Sequence, residues 1–247
     1  KRNLTMPNRA LWQRIAILLL MPILSLPARA ANLTVTPLND GVYLMRSERA
    51  VEGFGLVSGN GLIVQTAPHK AVLIDTPWDN SDVDTLFSWL ESQGLSLEAV
   101  VVTHSHEDAG GHLARFHSKN IPSWTFELTN EYLTQKGETP AQHTFSNNAW
   151  VVPEMIEVFY PGPGHTLDNS VVWVKKHNLL FGGCFIREQA TFSLGYTAEG
   201  DVRAWPESVG RVTDYFPEVQ WVVPGHGKVG DAALLSHTRE LALKMLP

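Results

Sequence analysis

The sequence is poor in cysteine, and this scarcity limits how the fold can be stabilised. Cys184 is the single cysteine among 247 residues, so an internal disulfide cannot form. The chain must instead bury a large apolar core. Its hydrophobic content of 44% suits one large α/β domain, or two similar halves that share a core.

The sequence also lacks an apolar run long enough for a comfortable membrane span. The short apolar segment Ile15–Leu26 follows basic residues and precedes the small-x-small sequence Ala28-Arg29-Ala30. This arrangement is typical of a secretory signal peptide. We therefore expect residues 1–30 to be cleaved and residues 31–247 to form a single mature domain in the periplasm. The absence of a cysteine directly after the cleavage point excludes a lipid anchor there.

Basic charge is scarce in the expected mature domain. Residues 1–30 carry five basic residues and no acidic residue, so their removal lowers the formal net charge from −6 to −11. A strongly acidic protein is a poor electrostatic partner for the phosphate backbone of nucleic acids. The composition therefore argues against nucleic acid as a substrate or partner.

The most informative segment is an apolar run that ends in ligand-type residues. Val100–Val102 is followed, after Thr103, by His104, His106 and Asp108 at alternating positions. Such a run predicts a buried strand whose carboxyl end opens into a loop, where open α/β sheets usually place their chemistry. Imidazole nitrogens and carboxylate oxygens are the ligands that zinc uses where its site stays open to water.

A single loop histidine is usually only solvated, but three further segments repeat this pattern of a ligand-type residue beside glycine. These segments are Gly164-His165-Thr166, Gly182-Gly183-Cys184 and Gly225-His226-Gly227. Each adjoins a β-prone run, so we expect all the ligands at strand ends, where six of them suffice for two metal ions. Glycine beside a ligand lets the backbone approach a metal closely.

The six ligands divide into two sets. The three-histidine set consists of His104, His106 and His165, and the mixed set consists of Asp108, Cys184 and His226. A zinc ion on three histidines keeps one open position and can activate water. Because Asp108 is two residues from His106, the two ions must be close, about 3.5–4 Å apart as in other paired sites. The design predicts hydrolysis of a carbonyl or phosphoryl bond without a serine nucleophile.

The rest of the chain predicts strands alternating with helices. Apolar patterns predict paired strands over 33–51, two short strands over 53–64, and further strands over 70–75, 97–102, 121–126, 151–160, 169–175, 179–181 and 219–223. Helices are predicted over 81–93, 109–117, 127–136, 203–216 and 232–246, the last with Asp231 as its N-cap. Strands and helices recur twice in the same order. We therefore predict an α/β fold of two similar halves, with two sheets face to face, helices outside and the metal site at one edge.

Four other positions have a local sequence that indicates a role near the site or in packing. Phe54, between glycines near a bend, is either a core aromatic or an apolar lid over the site. Asp75, at the end of a buried strand, either supports a ligand loop or acts as a cap. His112 and His117 are predicted to be surface or packing residues rather than ligands.

Taken in order, these motifs resemble those of the metallo-β-lactamase superfamily, from about Val42 to the end of the chain. Most hydrolases of that superfamily carry a histidine where this chain has Ala109, and an aspartate where it has Cys184. At these two positions the chain resembles the zinc β-lactamases of subclass B1 instead. The resemblance implies an αββα sandwich and a monomeric periplasmic enzyme. It also implies two zinc ions per chain and hydrolysis of penicillins, cephalosporins and carbapenems, which confers antibiotic resistance.

The resemblance also implies roles for individual residues. The three-histidine set would polarise the lactam carbonyl, the mixed set would stabilise the departing nitrogen, and Asp108 would orient the attacking water. Arg187 stands at the position of a lysine that holds the substrate carboxylate; the alternative is a surface arginine without this role. Tyr196 replaces an asparagine that often supports the oxyanion, so its phenol either donates a hydrogen bond or packs. Phe54 replaces a tryptophan of the flap and keeps the apolar contact.

Other functions remain open at this point. A thioesterase or phosphodiesterase of the same fold is one, although Ala109, Cys184 and the signal peptide argue against it. A non-catalytic periplasmic zinc-binding protein is another, but two open ligand sets suit storage poorly because storage sites are closed. A non-functional relative is a third, against which the intact ligands argue.

Overall fold

The β-branched and apolar runs of the first half of the chain form one seven-stranded sheet. The computed structural model describes residues 33–246, so the expected signal peptide lies outside the described residues. In spatial as well as chain order, the strands are β1 (Thr34–Asn39), β2 (Val42–Val51), β3 (Gly55–Ala67), β4 (Lys70–Ile74), β5 (Ser96–Val102), β6 (Ser123–Phe126) and β7 (His143–Phe145). Pairing is antiparallel from β1 to β4 and parallel from β4 to β7.

The second half of the chain forms a five-stranded sheet. Its strands are β8 (Asn148–Val152), β9 (Ile156–Phe159), β10 (Val171–Val174), β11 (Leu179–Gly183) and β12 (Trp221–Pro224), in the spatial order β12-β11-β10-β9-β8. Only β11 and β12 pair in parallel within this described sheet. Strands β9, β11 and β12 therefore run in the same direction, and their carboxyl ends share one edge of the sheet.

Six α-helices connect or follow these strands within residues 33–246. They are α1 (Asn80–Ser92), α2 (Glu107–Gly110), α3 (Leu113–His117), α4 (Glu127–Gln135), α5 (Trp205–Tyr215) and α6 (Ala233–Lys244). Helix α1 begins after Asp79, which accepts a hydrogen bond from the Ser81 N–H, and buries Val83 and Leu86 at helical spacing. In the part of the chain that the structure describes, no helix has the length and apolar character that a membrane span requires.

Successive side chains of β4 point to opposite faces of the sheet and show how the layers pack. Val72 and Ile74 lie in the apolar cluster between the sheets, together with Val172 and Phe181 of the second sheet. Leu73 faces the other way, into the cluster shared with α1, α3 and α4. Each inner side chain of this kind stabilises the fold by about 1.5–3 kcal/mol through burial.

The outer face of the second sheet is covered in the same manner. Trp173 and Leu180 pack in one cluster with Val209 of α5 and Leu235 of α6. The layers are therefore helix, sheet, sheet, helix, and the predicted αββα sandwich is confirmed. The halves share this layout but differ in size, since one sheet has seven strands and the other five.

Two strand predictions are wrong in their details. Residues 53–64 do not form two short strands, because β3 runs without a break from Gly55 to Ala67. Its glycine at position 61 is a packing requirement rather than a break, since a Cβ there would lie 2.9 Å from the Ile74 carbonyl oxygen. Residues 151–160 form two antiparallel strands instead of one, with Glu154 in the left-handed region at the turn between them (φ 59°).

Two helix predictions also differ from the structure. The helix predicted over 109–117 is two short helices, because the backbone of His112 leaves the helical region between them (φ −135°). The last helix begins after Ala232 rather than after Asp231. The Asp231 side chain still accepts a hydrogen bond from the Ala233 N–H, at 2.8 Å.

Candidate metal centre

All six predicted ligands lie together at the edge where the two sheets meet. His104 and His106 follow β5, Asp108 lies in the first turn of α2, and His165 follows β9. Cys184 follows β11 directly, and His226 follows β12. Each set therefore takes ligands from both halves of the chain, as expected for carboxyl ends of parallel strands that face one edge.

The three-histidine set converges on one point. Nε2 of His165 lies 3.3 Å from Nδ1 of His106, and one nitrogen from each of the three rings lies within 4.8 Å of the others. Nε2 of His104 is buried and has no hydrogen-bond partner among the described residues. A buried ring nitrogen of this kind, aimed at two others, fits a metal ligand.

The mixed set is equally compact. Oδ2 of Asp108 lies 3.2 Å from Nε2 of His226 and 3.4 Å from Sγ of Cys184, and Sγ lies 3.3 Å from the same His226 nitrogen. The other oxygen of Asp108, Oδ1, lies 3.6 Å from Nε2 of His104. The Asp108 carboxylate thus connects the two sets.

Burial sets the protonation of these groups. It lowers the pKa of His104 to about 3 and the pKa of His165 well below its ordinary value, so both imidazoles are neutral and can offer a lone pair. Burial and the nearby Asp108 charge raise the pKa of the Cys184 thiol to about 11. Burial alone would also raise the pKa of Asp108, but the hydrogen bond with His226 and the charges of the nearby imidazoles hold it below its ordinary value. A cation at this point would favour the thiolate.

The outward-facing ring nitrogens of His106 and His226 have partners that leave their inward nitrogens free. Nδ1 of His226 donates to the carbonyl oxygen of Ser58 at 3.0 Å. Nε2 of His106 lies 3.3 Å from a Glu199 carboxylate oxygen. Fixing the remote N–H in this way is what metal-binding histidines generally require. The donor set and its orientation therefore fit two metal ions.

Asp75 supports the ligand loop rather than capping a helix, which decides between its two interpretations. Its carboxylate accepts two hydrogen bonds from Thr103, one from the N–H and one from Oγ1, both at 2.8 Å. Burial raises the pKa of Asp75 to about 8, although the bonds from Thr103 lower it. The residue precedes the first metal ligand by 29 positions and contacts the loop at its base.

Asn60 of β3 holds the loop that carries His226. Its side-chain amide donates to the carbonyl oxygens of Pro224 and Gly227, at 2.8 and 3.0 Å, and its N–H donates to that of Gly225 at 2.7 Å. A Cβ at position 225 would lie 2.6 Å from the sulfur of Cys184, so only glycine lets this loop approach the thiol.

A cavity of about 740 Å³ opens beside the ligands and brings in the three predicted substrate contacts, Arg187, Phe54 and Tyr196. Phe54 is 66% exposed and lines the cavity, so it does not lie in the core. Arg187 is largely buried, and its Nε has no hydrogen-bond partner among the described residues. The Tyr196 hydroxyl is directed to Glu199, at 3.4 Å.

The structure adds cavity residues that the sequence did not reveal. Trp78 lines the cavity and lies against His226, with ring centroids 5.9 Å apart. Lys136 and Glu199 also line it and form an ion pair. These residues follow no ligand-type motif, and the pair is 63 positions apart, so local spacing carried no signal for them.

His112 and His117 are packing residues, as predicted. Nε2 of His112 lies 3.2 Å from the carbonyl oxygen of Trp78, and Nε2 of His117 lies 2.7 Å from the hydroxyl of Ser123. Neither belongs to either ligand set.

Comparisons with known proteins agree with this geometry. Residues 54–245 match the family described as the metallo-beta-lactamase superfamily. A metallo-beta-lactamase type 2 from Pseudomonas aeruginosa is 38% identical over 220 residues, which is 89% of this chain and 88% of the relative. One from Bacteroides fragilis is 33% identical over 234 residues, 92% and 94% of the two chains. A solved structure of TMB-1 superposes with a TM-score of 0.83 at 44% identity, covering 86% of this chain and 97% of that one.

Proposed function

The chain belongs to the metallo-β-lactamase superfamily, and we propose that it is a subclass B1 enzyme that hydrolyses the amide bond of β-lactam antibiotics with two zinc ions. The observation that carries the proposal is the convergence of six ligands in two adjacent sets beside an open cavity. The relatives named above are themselves named metallo-β-lactamases. Penicillins, cephalosporins and carbapenems are the proposed substrates, and resistance to them is the proposed consequence.

Each ligand set is proposed to bind one metal ion. The three-histidine set would hold one zinc ion, and the mixed set would hold the second. When bound, zinc supplies Lewis acidity toward the lactam carbonyl and lowers the pKa of water to about 7. The protein residues bind and orient the substrate and manage the protons.

Asp108 is proposed as the catalytic carboxylate. Its two oxygens face different sets, with Oδ1 toward His104 and Oδ2 toward His226. It therefore lies beside any water placed between the sets, and as an ionised group it accepts a hydrogen bond from that water and orients it toward the carbonyl carbon.

Arg187, Phe54 and Tyr196 are proposed to hold the substrate. The guanidinium of Arg187 lines the cavity and can bind the substrate carboxylate with two parallel hydrogen bonds. Phe54 and Trp78 provide apolar walls that exclude water and contact the substituents of the lactam. Tyr196 packs its ring 5.9 Å from that of His106, which favours a packing role for the phenol.

We also propose that residues 31–247 act as a monomeric periplasmic domain after removal of residues 1–30. The support comes from the basic, apolar and small-residue order of that segment. The acidic charge of the remaining domain supports a small-molecule substrate over nucleic acid.

The test is hydrolysis by purified protein. Opening of a penicillin and of a carbapenem would be followed by absorbance with added zinc and again after a chelator, with the metal content measured in parallel. We expect chelator-sensitive hydrolysis of both. His104→Ala should abolish it, whereas His143→Ala, at an exposed histidine on β7, should not. Two bound zinc ions without hydrolysis would favour a thioesterase or phosphodiesterase. A chain that binds no zinc would disprove the ligand assignment.

A further inference from the structure

A second cavity, smaller than the one beside the metal ligands, lies next to the end of α4. Its volume is about 260 Å³, and it is lined by Tyr132, Gln135, Lys136, Leu167 and Glu199. Lys136 and Glu199 also line the larger cavity, and their charged groups lie 3.1 Å apart. This ion pair is therefore the boundary between the two cavities, and we call the smaller one the accessory cavity.

The walls of the accessory cavity are fixed by the surrounding structure. Tyr132 and Gln135 lie three positions apart on α4, so their side chains share one face of the helix. The backbone of Leu167 is held on both sides: its N–H donates to the Glu199 carbonyl oxygen at 3.2 Å, and its own carbonyl oxygen accepts from the Tyr160 hydroxyl at 2.9 Å. Leu167 is nevertheless 38% exposed, whereas both of its neighbours in the chain are buried. A largely preformed wall of this kind suits the binding of a small group.

The lining residues indicate the chemistry of the group that would fit. The Tyr132 ring offers a face for stacking and the Leu167 side chain offers apolar contact, while the Gln135 amide can donate or accept a hydrogen bond. The two charges of the boundary ion pair offset each other, so the cavity favours an uncharged group. A flat heteroaromatic ring with an acceptor atom meets these conditions.

One wall connects the accessory cavity with the proposed holder of the substrate carboxylate. A Cβ at position 195 would lie 3.2 Å from Nη2 of Arg187, so the guanidinium lies against Gly195. Tyr196 comes next in the chain, and its hydroxyl lies 3.4 Å from the carboxylate of Glu199. A group attached beside the substrate carboxylate therefore has a continuous surface to follow, from Arg187 past Tyr196 to the boundary ion pair.

The covalent structure of β-lactams identifies that group. In a cephalosporin, the carbon that bears the carboxylate is bonded to C3, and the variable C3 substituent extends from there. The acylamino substituent is at the opposite end, on the carbon next to the lactam carbonyl. A penicillin carries only two methyl groups beside the carbon that bears its carboxylate.

We propose that the accessory cavity binds a flat heteroaromatic C3 substituent of cephalosporins, and that Tyr132 and Gln135 are specificity-determining residues. The inference rests on the proposed function, because it takes the β-lactam carboxylate to be held by Arg187.

The first experiment detects occupation of the accessory cavity directly. It uses two cephalosporins with the same acylamino group, one with a methyl group at C3 and one with a heteroarylvinyl group, which is not expelled on ring opening. In ¹⁵N–¹H correlation spectra of the zinc-loaded protein, we expect the side-chain amide signals of Gln135 to shift with the heteroarylvinyl compound only. These signals are assigned with Gln135→Trp. Equal shifts with both compounds, or no shift with either, would overturn the proposal.

This experiment separates the proposal from the proposed function. The C3 substituent is present before and after ring opening, so the Gln135 signals report its binding even if the protein hydrolyses neither compound. Hydrolysis is followed by absorbance in the same samples and tests the proposed function by itself.

Steady-state kinetics with the same two compounds measure the effect on specificity. Gln135 is exposed and lines the accessory cavity, so Gln135→Trp should fill the cavity and raise KM for the heteroarylvinyl compound relative to the methyl compound by about tenfold. Thr134→Trp is the matched control, because this neighbouring residue is exposed but does not line the cavity; the ratio of the two KM values should not change. Tyr132→Ala should raise the ratio about three- to tenfold through loss of the stacked ring. An unchanged ratio in Gln135→Trp would contradict the proposal even if Tyr132→Ala did not fold.

Discussion

Nζ of Lys136 lies 3.1 Å from the carboxylate of Glu199, so that the residue after α4 is joined to the loop that carries Tyr196. Glu199 also contacts His106, at 3.3 Å, and the Tyr196 hydroxyl, at 3.4 Å. Burial would raise the pKa of Glu199, but Lys136 and His106 hold it below its ordinary value. A ligand histidine and a cavity residue are therefore held by the same carboxylate.

Replacing Lys136 with methionine should loosen this loop without unfolding the protein. Both partners are partly exposed, and such ion pairs contribute at most about 1 kcal/mol to folding. We expect thermal stability to change little and kcat/KM to fall about three- to tenfold. Lys176→Met, at an exposed lysine after β10, is the control; equal effects of the two substitutions would contradict a role for the pair.

Arg187→Ala should raise KM for penicillins by about tenfold or more and change kcat less, because it removes the proposed partner of the substrate carboxylate. Arg187→Lys should restore part of the affinity, since a point charge replaces a planar pair of donors. Steady-state kinetics give both constants. An unchanged KM in Arg187→Ala would show that the guanidinium does not hold the substrate.

Phe54→Ala should weaken substrate binding more than turnover, because the ring supplies apolar contact at the cavity and no group that reacts. We expect KM to rise about three- to thirtyfold at nearly constant kcat. Phe192→Ala is the matched control, since this phenylalanine is 92% exposed and does not line the cavity. If KM is the same before and after the Phe54 change, the lid role is wrong.

Tyr196→Phe distinguishes the two roles of the phenol. Because the hydroxyl is directed to Glu199, we expect its removal to change kcat less than about threefold, while Tyr196→Ala raises KM through loss of the ring. A fall in kcat of about 100-fold or more in Tyr196→Phe would instead identify the hydroxyl as an oxyanion donor.

The stability of the metal-free protein should depend on Asp75 between about pH 4 and pH 8. The pKa of this carboxyl is raised by burial from 3.8 to about 8, so folding favours its protonated form. Its contribution to stability is complete below about pH 4 and is lost as the pH rises to about 8, by up to about 1.4 kcal/mol per unit. The difference in unfolding free energy between Asp75→Asn and the unsubstituted protein, measured by denaturant titration, should grow in favour of the asparagine variant over this range. A constant difference would contradict the raised pKa.

The ligands could be predicted from the sequence because each lies within six residues after the end of a recognisable β-prone run. His104 and His106 follow Val100–Val102, and Cys184 follows Leu179–Phe181. The end of a strand fixes where the next side chains lie in the sheet. The local sequence pattern was therefore enough to predict that the ligands share one edge. The face-to-face sheets could be inferred for a similar reason, since strand and helix periodicity recur in both halves.

The supporting residues could not be predicted, because their partners are distant in the chain. Asn60 contacts residues more than 160 positions away, and Lys136 reaches Glu199 across 63. Asparagine, lysine and glutamate at such positions look like ordinary surface residues until the sheets are packed. The turn at Glu154 was missed because the apolar character of its two flanking strands runs almost continuously around it.

The hydrogen bonds from Asn60 to the loop after β12 have a consequence for recombination between related genes. The residue lies in one half of the chain, and the three carbonyl groups that it holds lie in the other. A recombinant gene that joined the first half of this protein to the second half of a relative would keep all six ligands. It would place His226 correctly only if the incoming loop matched Asn60. Exchange of halves between relatives is therefore constrained by the contact between Asn60 and the loop after β12 as well as by the ligands.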